Sequence, residues 1–281
     1  MEIVPARGPV DEGALDALVD ALRGRTVAVL TGAGMSTESG IPDYRGEGTR
    51  ARARNPVQYR AFVDDPAARR RYWARATLGW PAFRDRREND AHRALAALEG
   101  AGASPPITQN VDRLHQKAGS ADVIELHGAL AEVICLSCRT LYARDEVQTW
   151  MLELNPGFAA ADAEIAPDGD VELEDTEGFV TATCPRCSGV LKPHVVFFGE
   201  SVPRDRVERA FRRVRSADAL LVVGTSLAVY SGFRFVRRAH EEGQPVHVVN
   251  AGPTRADALA TTRLDGRVGD ILPRLVQRLR E

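Results

Sequence analysis

The stretch Thr-Val-Ala-Val-Leu-Thr-Gly-Ala-Gly at residues 26–34 decides the fold of this 281-residue chain. Its first half is a continuous apolar run, which is typical of a strand buried on both faces of a parallel sheet. Its second half is a glycine turn, where the backbone can approach a pyrophosphate and the next helical turn can offer free N–H groups. The pattern alone is weak evidence for a nucleotide, because Thr37 stands where the usual fingerprint has its third glycine.

The same pattern recurs twice in the C-terminal half of the chain. The apolar run 219–223 leads into Gly224-Thr225-Ser226, and the run 246–249 leads into Asn250-Ala251-Gly252. Helical spacing of apolar residues predicts amphipathic helices around these runs, at 11–23, 207–214, 231–242 and 271–279. Strands that alternate with helices predict an α/β fold with a Rossmann-like, doubly wound parallel sheet, whose ligand binds at the carboxyl ends of the strands.

Two segments break this alternation and are predicted to be insertions that form a second, smaller lobe. Residues 46–90 are rich in arginine and aromatic residues, and residues 129–192 contain all four cysteines and an acidic stretch. The predicted organisation is therefore a Rossmann-like domain built from 1–45, 91–128 and 193–281, and a small helical and zinc-binding lobe built from 46–90 and 129–192.

The cysteines form two matched pairs, Cys135-x-x-Cys138 and Cys184-x-x-Cys187. Paired knuckles of this kind are typical of tetrahedral Zn²⁺ with four thiolate ligands. Four thiolates fill the coordination shell and leave no position for an activated water, so the predicted zinc is structural. The alternative interpretation, two free dithiols, requires the matched spacing to be accidental.

Polar residues that are able to carry chemistry occur in the middle of the chain, around one further short strand. The cluster Thr-Gln-Asn-Val-Asp occupies 108–112, and His127 closes a predicted strand at 123–126 with Gly128 behind it. Most histidines are surface or satisfied core residues, but a histidine at the end of a strand is well placed to act as a base toward a hydroxyl group. His127 is therefore the predicted general base.

Bulk properties exclude some classes of function. A net charge of −2 disfavours a nucleic-acid binder that relies on bulk electrostatics. No signal-like segment occurs in residues 1–13, and no apolar run is long enough to span a membrane, which predicts a cytoplasmic protein whose reduced cysteines are available for a metal.

Several motifs together, in this order, resemble the sirtuin family of NAD-dependent protein deacylases. The resemblance runs from about residue 15 to the C-terminus, and is carried by the two cysteine pairs and by 32–46, 108–115, 125–128, 192–200, 224–226 and 249–250. Shorter stretches resemble the class II branch of that family, at 71–75, 79–81, 166–170 and 229–232.

The resemblance implies that NAD, as a co-substrate, binds between the Rossmann-like domain and the zinc-bearing lobe. The glycine turn would hold the pyrophosphate, Asn250 the adenine-side ribose, and Tyr44 would cover the reacting carbon as part of a mobile loop. The implied NAD-binding residues are Gly32, Ala33, Gly34, Asp43, Tyr44, Arg45, Gln109, Asn110, Asp112, Gly224, Thr225, Ser226, Asn250, Ala251, Gly252 and Val268.

The resemblance also implies the reaction and its catalytic residues, His127, Asn110 and Asp112. The acyl oxygen of the substrate lysine would attack the anomeric carbon and expel nicotinamide, and His127 would then deprotonate a ribose hydroxyl. The products would be nicotinamide, 2′-O-acyl-ADP-ribose and the free lysine. The acyl-lysine protein or peptide would bind as an added strand beside Val196, Phe198 and Gly199.

Some residues depart from the family pattern or allow a simpler interpretation. His194 stands where relatives often carry an acidic or amide residue, and we favour surface variation over a role in substrate choice. The arginines at 50–54 and 69–75 are interpreted as a solvated face rather than as a reader of acidic acyl groups.

Three other functions are compatible with parts of the pattern. A mono-ADP-ribosyltransferase would share the first step at the anomeric carbon. A non-catalytic sensor of NAD or ADP-ribose would not need His127, Asn110 and Asp112, which are all present. A zinc-ribbon nucleic-acid binder is disfavoured by the acidic stretch 168–177, and neither nucleic acid nor a membrane is an expected partner.

Overall fold

The computed structural model describes residues 10–43, 57–158 and 176–281. In chain order the described strands are β1 (Val27–Thr31), β2 (Ile107–Thr108), β3 (Ile124–Glu125), β4 (Gly128–Cys135), β5 (Leu141–Ala143), β6 (Leu191–Val195), β7 (Ala219–Val223), β8 (Val246–Asn250) and β9 (Thr262–Asp265). The described α-helices are α1 (Glu12–Leu22), α2 (Tyr59–Asp64), α3 (Pro66–Arg84), α4 (Asp90–Glu99), α5 (Leu114–Lys117), α6 (Arg144–Leu154), α7 (Arg204–Arg215), α8 (Tyr230–Glu241) and α9 (Val268–Arg280).

The larger sheet is parallel, with strand order β3-β2-β1-β7-β8-β9. Every residue of β1, β7 and β8 is buried, as expected for strands covered on both faces. The chain winds outward from β1 on one side and from β7 on the other, so the topological switch point lies between these two strands. Ligands of open α/β sheets bind at such a point, beyond the carboxyl ends of the strands.

Helices cover both faces of this sheet, which confirms the predicted doubly wound fold. One face packs against α1, α4 and α9 through a cluster that includes Leu15, Leu18, Leu95, Ile271 and Leu275. The other face packs against α7 and α8 through a cluster that includes Ala210, Val214, Phe235 and Val236. The predicted start of α1 is also confirmed, since the Asp11 side chain accepts a hydrogen bond from the Ala14 amide at 3.0 Å.

A second sheet is antiparallel, with strand order β5-β4-β6. Its core combines aromatic residues of α2 and α3 with residues of β4, α6 and β6, among them Phe62, Tyr72, Trp73, Val133, Val147 and Leu191. The Trp73 indole donates to the Leu191 carbonyl at 3.2 Å, which ties α3 to β6. Residues from both predicted insertions therefore share one core.

Two strands of the parallel sheet were not predicted from the sequence. β9 reads Thr-Arg-Leu-Asp and buries only Leu264, so it has no apolar run. β2 is only two residues long and pairs with β1 and β3. Within the described ranges, no helix is both long and apolar enough to cross a bilayer.

Candidate active site

The turns after β1 and β7 lie in direct contact at the switch point. The Gly34 amide donates to the Gly224 carbonyl at 2.8 Å. A Cβ on Gly34 would lie 2.9 Å from the Gly224 oxygen, and one on Gly224, whose φ is +59°, would lie 2.7 Å from the Met35 nitrogen. Only glycine fits this approach, which brings the predicted groups 32–34 and 224–226 together in one concave surface.

Gln109, which follows β2, joins these two turns. Its side-chain amide donates to the Thr31 carbonyl at 3.1 Å and to the Thr225 hydroxyl at 3.0 Å. The ends of β1, β2 and β7 are therefore connected through one side chain. The predicted residues from three separate stretches of sequence meet at this edge of the sheet.

Asn110, Asp112 and Ser36 form a hydrogen-bonded group beneath the glycine turn. The Asn110 amide donates to the Gly32 carbonyl at 3.0 Å and to the Ser36 hydroxyl at 3.1 Å, and Ser36 donates to Asp112 at 2.6 Å. Burial raises the pKa of Asp112, while the Leu114 amide and the Ser36 hydroxyl oppose that rise by donating to the carboxylate. Sequence reasoning selected Asn110 and Asp112 but missed Ser36, although Ser36 lies within the glycine motif.

His127 lies between Gln109 and the first turn of α8. Its Nδ1 is 2.8 Å from the Gln109 carbonyl oxygen, which can only accept, so Nδ1 carries the hydrogen and Nε2 is left with its lone pair. The Ser231 hydroxyl, 2.8 Å from Nε2, then donates to it. Burial, with smaller contributions from Arg206 and Arg234, lowers the pKa of His127 to about 4. The ring is therefore neutral at physiological pH.

Ser231 was not predicted to belong to the site. It is 104 residues from His127 in the chain and reaches it only because α8 begins at the switch point. The stretch Val-Tyr-Ser-Gly at 229–232 was noted only as a resemblance to one branch of the family. A pairing over such a separation has no local signal in the sequence.

The predicted substrate residues follow β6 directly beside His127. The Val196 amide donates to the His127 carbonyl at 2.8 Å, and the Phe198 carbonyl accepts from the Tyr59 amide at 2.9 Å. The Phe198 side chain is 41% exposed, and Gly199 is exposed as well. The backbone of this segment is thus already hydrogen-bonded to His127 through Val196 and to Tyr59 through Phe198.

A buried ion pair holds the substrate segment in place. The Lys192 ammonium lies 2.9 Å from a Glu200 oxygen, and it sits 4.5 Å from the centre of the Phe197 ring. Only 3% of the Lys192 side chain is exposed. The ion pair joins residue 192 to residue 200, and the Val196 amide between them is bonded to the His127 carbonyl. The backbone of 192–200 is therefore held beside His127.

His194 points away from the substrate segment toward β4. Its Nδ1 lies 2.9 Å from Glu132, whose other oxygen accepts from Arg113. These two partners lower the pKa of Glu132 to about 2, with the His194 hydrogen bond as the larger cause. The contact gives His194 a structural role between β4 and β6, which differs from the surface variation preferred from the sequence.

The predicted adenine-side residues lie at the end of β8, next to β7. The Asn250 side-chain amide donates to the carbonyls of Ala251 and Gly252, each at 2.9 Å, which leaves its oxygen available for a hydroxyl donor. Val268 is 4% exposed and belongs to the core beneath α9. Asp43 is half-buried, whereas Tyr44 and Arg45 lie outside the described residues.

The four cysteine sulfurs converge in the smaller lobe, as the spacing predicted. All four Sγ atoms lie within 4.8 Å of one another, and no disulfide joins them. The Cys135–Cys187 and Cys138–Cys184 separations are 3.5 and 3.7 Å, close to the edge of about 3.8 Å expected for four thiolates around Zn²⁺. The Thr140 hydroxyl and amide are the main cause that lowers the pKa of Cys138 to about 6. The donor set and its geometry fit a closed tetrahedral metal site.

Comparisons with known proteins match the chain to one family. The model of the Sir2 family matches residues 32–231. An NAD-dependent protein deacetylase of Xanthomonas axonopodis pv. citri (strain 306) is 53% identical over 246 residues, which cover 86% of this chain and 84% of the relative. The NAD-dependent protein deacylase Sirt4 of Drosophila melanogaster is 48% identical over 281 residues, covering 98% and 90%. The bovine NAD-dependent protein lipoamidase sirtuin-4, mitochondrial, is 49% identical over 255 residues, covering 89% and 81%.

Solved structures show the same architecture. The structure called "Structural Basis for the Mechanism and Regulation of Sir2 Enzymes" has a TM-score of 0.76 and 32% identity, covering 96% of this chain and 98% of the other. "Sir2-p53 peptide-NAD+" has a TM-score of 0.75 and 31% identity, covering 94% and 97%. The family model, the sequence relatives and these structures agree with the geometry of the site, and the chain belongs to the Sir2 family, the sirtuins.

Proposed function

We propose that this chain removes acyl groups from lysine side chains of proteins, with NAD as the co-substrate. The products are nicotinamide, acyl-ADP-ribose and the free lysine. The observation that carries the proposal is the state of His127: its Nδ1–H is held by the Gln109 carbonyl after β2, and its Nε2 lone pair accepts from the Ser231 hydroxyl. Relatives that cover most of the chain are named as NAD-dependent deacetylases and deacylases.

The Rossmann-like domain supplies the NAD site in this proposal. The turn 32–34 lies against the pyrophosphate, with Thr225 and Ser226 beside it. The Gly34 amide is held by the Gly224 carbonyl, so the N–H of Ala33 faces the phosphates. The free oxygen of Asn250 accepts from a ribose hydroxyl on the adenine side. Ala251, Gly252 and the backbone at Val268 surround the adenine, and Asp43 lies toward the nicotinamide end; Tyr44 and Arg45, outside the described residues, are assigned to that end by the resemblance alone.

Asn110, Asp112 and Gln109 shape the pocket for the nicotinamide ribose. Their side chains are held by the glycine turn, by Ser36 and by Thr225. A pocket whose polar groups are already fixed by hydrogen bonds loses little entropy when the ribose binds. Asn110 and Asp112 therefore act by orienting the anomeric carbon toward the acyl oxygen.

His127 serves as the general base. A ribose hydroxyl that replaces Ser231 as the partner of Nε2 transfers its proton there, and the Gln109 carbonyl stabilises the resulting imidazolium through Nδ1–H. The deprotonated hydroxyl attacks the acyl carbon, and water completes the release of lysine. The acyl-lysine stem lies against Val196 and Phe198, with the peptide backbone along Gly199.

Zinc in the cysteine cluster supplies structure rather than chemistry. Cys135, Cys138, Cys184 and Cys187 would hold it as thiolates, which leaves no open coordination position. With the metal bound, 46–90 and 129–192 form the smaller lobe, and 1–45, 91–128 and 193–281 form the NAD-binding domain. This division places the cleft at the junction of Gly128 and Val195.

We further infer membership of the class II branch and a cytoplasmic location. The likeness to the Drosophila and bovine sirtuin-4 proteins supports the branch. The bovine relative carries the word lipoamidase in its name, so apolar acyl groups longer than acetyl belong in any substrate panel. At least one apolar acyl group is expected to be removed only when NAD is present.

The reaction is tested with NAD labelled in its adenine ring and a panel of acyl-lysine peptides. Deacylation transfers the label to acyl-ADP-ribose and releases nicotinamide in equal amount. Label on protein instead would identify an ADP-ribosyltransferase, and binding of NAD without nicotinamide release would identify a sensor. The His127→Ala variant serves as the control for chemistry at the site.

A further inference from the structure

Two arginines lie over the ring of Tyr230 beside the candidate active site, and a third contacts Leu126, the residue before His127. The guanidinium groups of Arg234 and Arg255 lie 5.6 and 5.9 Å from the centre of the Tyr230 ring, and Arg255 also lies 4.3 Å from the Phe233 ring. Arg206, at the start of α7, is 3.4 Å from the carbonyl oxygen of Leu126. We call Arg206, Arg234 and Arg255 the rim arginines.

Arg206 and Arg234 are linked to His127 through its neighbours, and Arg255 lies over the same ring as Arg234. Tyr230 precedes Ser231, whose hydroxyl contacts Nε2 of His127, and Leu126 precedes His127 itself. The positive charges of Arg206 and Arg234 both reach His127, because each contributes to the lowering of its pKa. Arg206 and Arg234 therefore lie close enough to His127 for their charge to act on a substrate bound beside it.

The charge of the rim arginines is not neutralised by the described part of the protein. Within residues 10–43, 57–158 and 176–281, none of the three has a carboxylate within 4.0 Å. A third arginine over the Tyr230 ring, Arg237, is paired with Glu241 at 3.4 Å. Glu200, on the opposite side of His127, is likewise engaged with Lys192.

Exposed apolar side chains flank the same opening. Phe198 is 41% exposed on one side of His127, and Val229 and Tyr230 are 42% and 43% exposed on the other. An opening with apolar walls and charge of one sign attracts ligands of the opposite sign. An acyl-lysine has no charge on its side chain. The negative charge that the arginines attract must therefore come from the residues next to the acyl-lysine in the substrate.

We propose that Arg206, Arg234 and Arg255 select acyl-lysine segments that carry acidic residues beside the modified lysine. This inference rests on the proposed deacylase function. It makes the rim arginines specificity-determining residues, which act on peptide binding and leave the chemistry at His127 unchanged.

The test uses two peptides that share one acyl-lysine and differ only in their flanking residues, glutamate in one and arginine in the other. At low salt, we expect kcat/KM to be about 5-fold or more higher for the acidic peptide, through KM, and the ratio to shrink as salt screens the charges. The double variant Arg234→Gln with Arg255→Gln should bring the ratio close to one. Arg206 is left unchanged because it contacts the segment that holds His127.

Arg237→Gln provides the matched control, since Arg237 lies over the same ring but is neutralised by Glu241. It should keep the ratio of the unchanged protein. Equal rates for both peptides, or a ratio that the double variant does not alter, would overturn the inference. A preference seen for an acidic acyl chain but not for acidic flanks would overturn it too, because the arginines would then read the acyl group.

Binding of the fluorescently labelled peptides, measured by anisotropy without NAD, separates this inference from the proposed function. Tighter binding of the acidic peptide that is lost in the double variant supports the rim arginines even if no peptide is turned over. Turnover of both peptides with no difference in affinity contradicts the rim arginines alone.

Discussion

Two hydrogen bonds decide what His127 is able to do. The Gln109 carbonyl fixes the hydrogen on Nδ1, and the Ser231 hydroxyl occupies Nε2 until a substrate replaces it. Burial keeps the ring neutral. The His127 ring is thereby left with a lone pair on Nε2 that is able to accept a proton. The hydrogen-bond partners of His127 come from the residue after β2, from the residue after β6 and from α8.

Replacing His127 with alanine should remove the base and leave the NAD site intact. We expect kcat for deacylation to fall by about 100- to 10,000-fold. Calorimetric titration should show NAD affinity within a few-fold of the unchanged protein, since the glycine turn and Asn250 do not contact the imidazole. Retention of full turnover would contradict the assignment of His127.

Replacing Ser231 with alanine should change the pH dependence of the reaction. The hydroxyl donates to Nε2, so it favours the neutral ring and lowers the pKa of His127. Its removal should move the acid limb of kcat/KM upward by about 0.5–1 pH unit, which is the size of one hydrogen bond. Ser231→Thr keeps the hydroxyl and should keep the limb in place; a downward movement in Ser231→Ala would reject this role.

Sequence alone identified His127 because it closes a short strand and is followed by a glycine. It could not identify Ser231 or the role of Gln109, whose contacts depend on distant segments that meet only in the folded protein. The same limit applies to His194, whose contact from β6 to Glu132 on β4 has no local signal in the sequence.

At the level of elements, the junction of β4 with β6 aligns the substrate segment with His127. Gly128 pairs with Val195, and the Val196 amide bonds the His127 carbonyl. Gly128 has φ +83°, and a Cβ there would lie 2.0 Å from the His194 oxygen. The two strands can meet at this point only if residue 128 has no side chain.

Gly128→Ala should therefore destabilise the protein more than an alanine at a comparable glycine. Gly157 has φ +84° and no atom within 4 Å of the added Cβ, so it isolates the cost of the backbone conformation. We expect the free energy of unfolding to fall by about 1 kcal/mol for Gly157→Ala and by about 3 kcal/mol or more for Gly128→Ala. Equal losses in denaturant titrations would show that the contact with His194 is relieved without cost.

The cysteine knuckles should carry one zinc per chain that supports the smaller lobe. Cys184→Ser should lose the metal in elemental analysis and lower Tm by about 5 °C or more, because the four ligands link the end of β4 and the turn after it to the segment 184–187. Ser137→Ala, which changes a residue between two of the cysteines, should keep the metal. Full stability of metal-free Cys184→Ser would contradict a structural role.

Across the whole molecule, buried neutral histidines should make stability depend on pH. Burial lowers the pKa of His115 to about 3 and that of His92 well below its ordinary value of 6.5. The unfolded chain binds protons at these residues below about pH 6.5, whereas the folded chain does not. Above that pH these histidines do not affect the free energy of unfolding. As pH falls toward 4, proton binding by the unfolded chain lowers the free energy of unfolding progressively.

We expect unfolding free energy to decrease by roughly 1–2 kcal/mol per buried histidine between pH 7 and pH 5. Denaturant titrations at both pH values measure this change, and it should be reduced in His115→Gln. The exposed His240, changed to asparagine, should leave the pH dependence as it was. An increase in stability on acidification over this range would be inconsistent with the buried pair.

The sequence by itself determined the parallel sheet, the family and the grouping of the four cysteines, because each depends on local pattern: buried apolar runs, glycine turns and knuckle spacing. Only the tertiary structure decided the tautomer of His127, the positions of Ser231 and Ser36, and the contact of Tyr59 with Phe198. These features depend on packing between segments far apart in the chain. A shift of a few tenths of an ångström between such segments makes or breaks a hydrogen bond. β9 belongs with them, since its polar residues form a strand only because β8 offers a free edge.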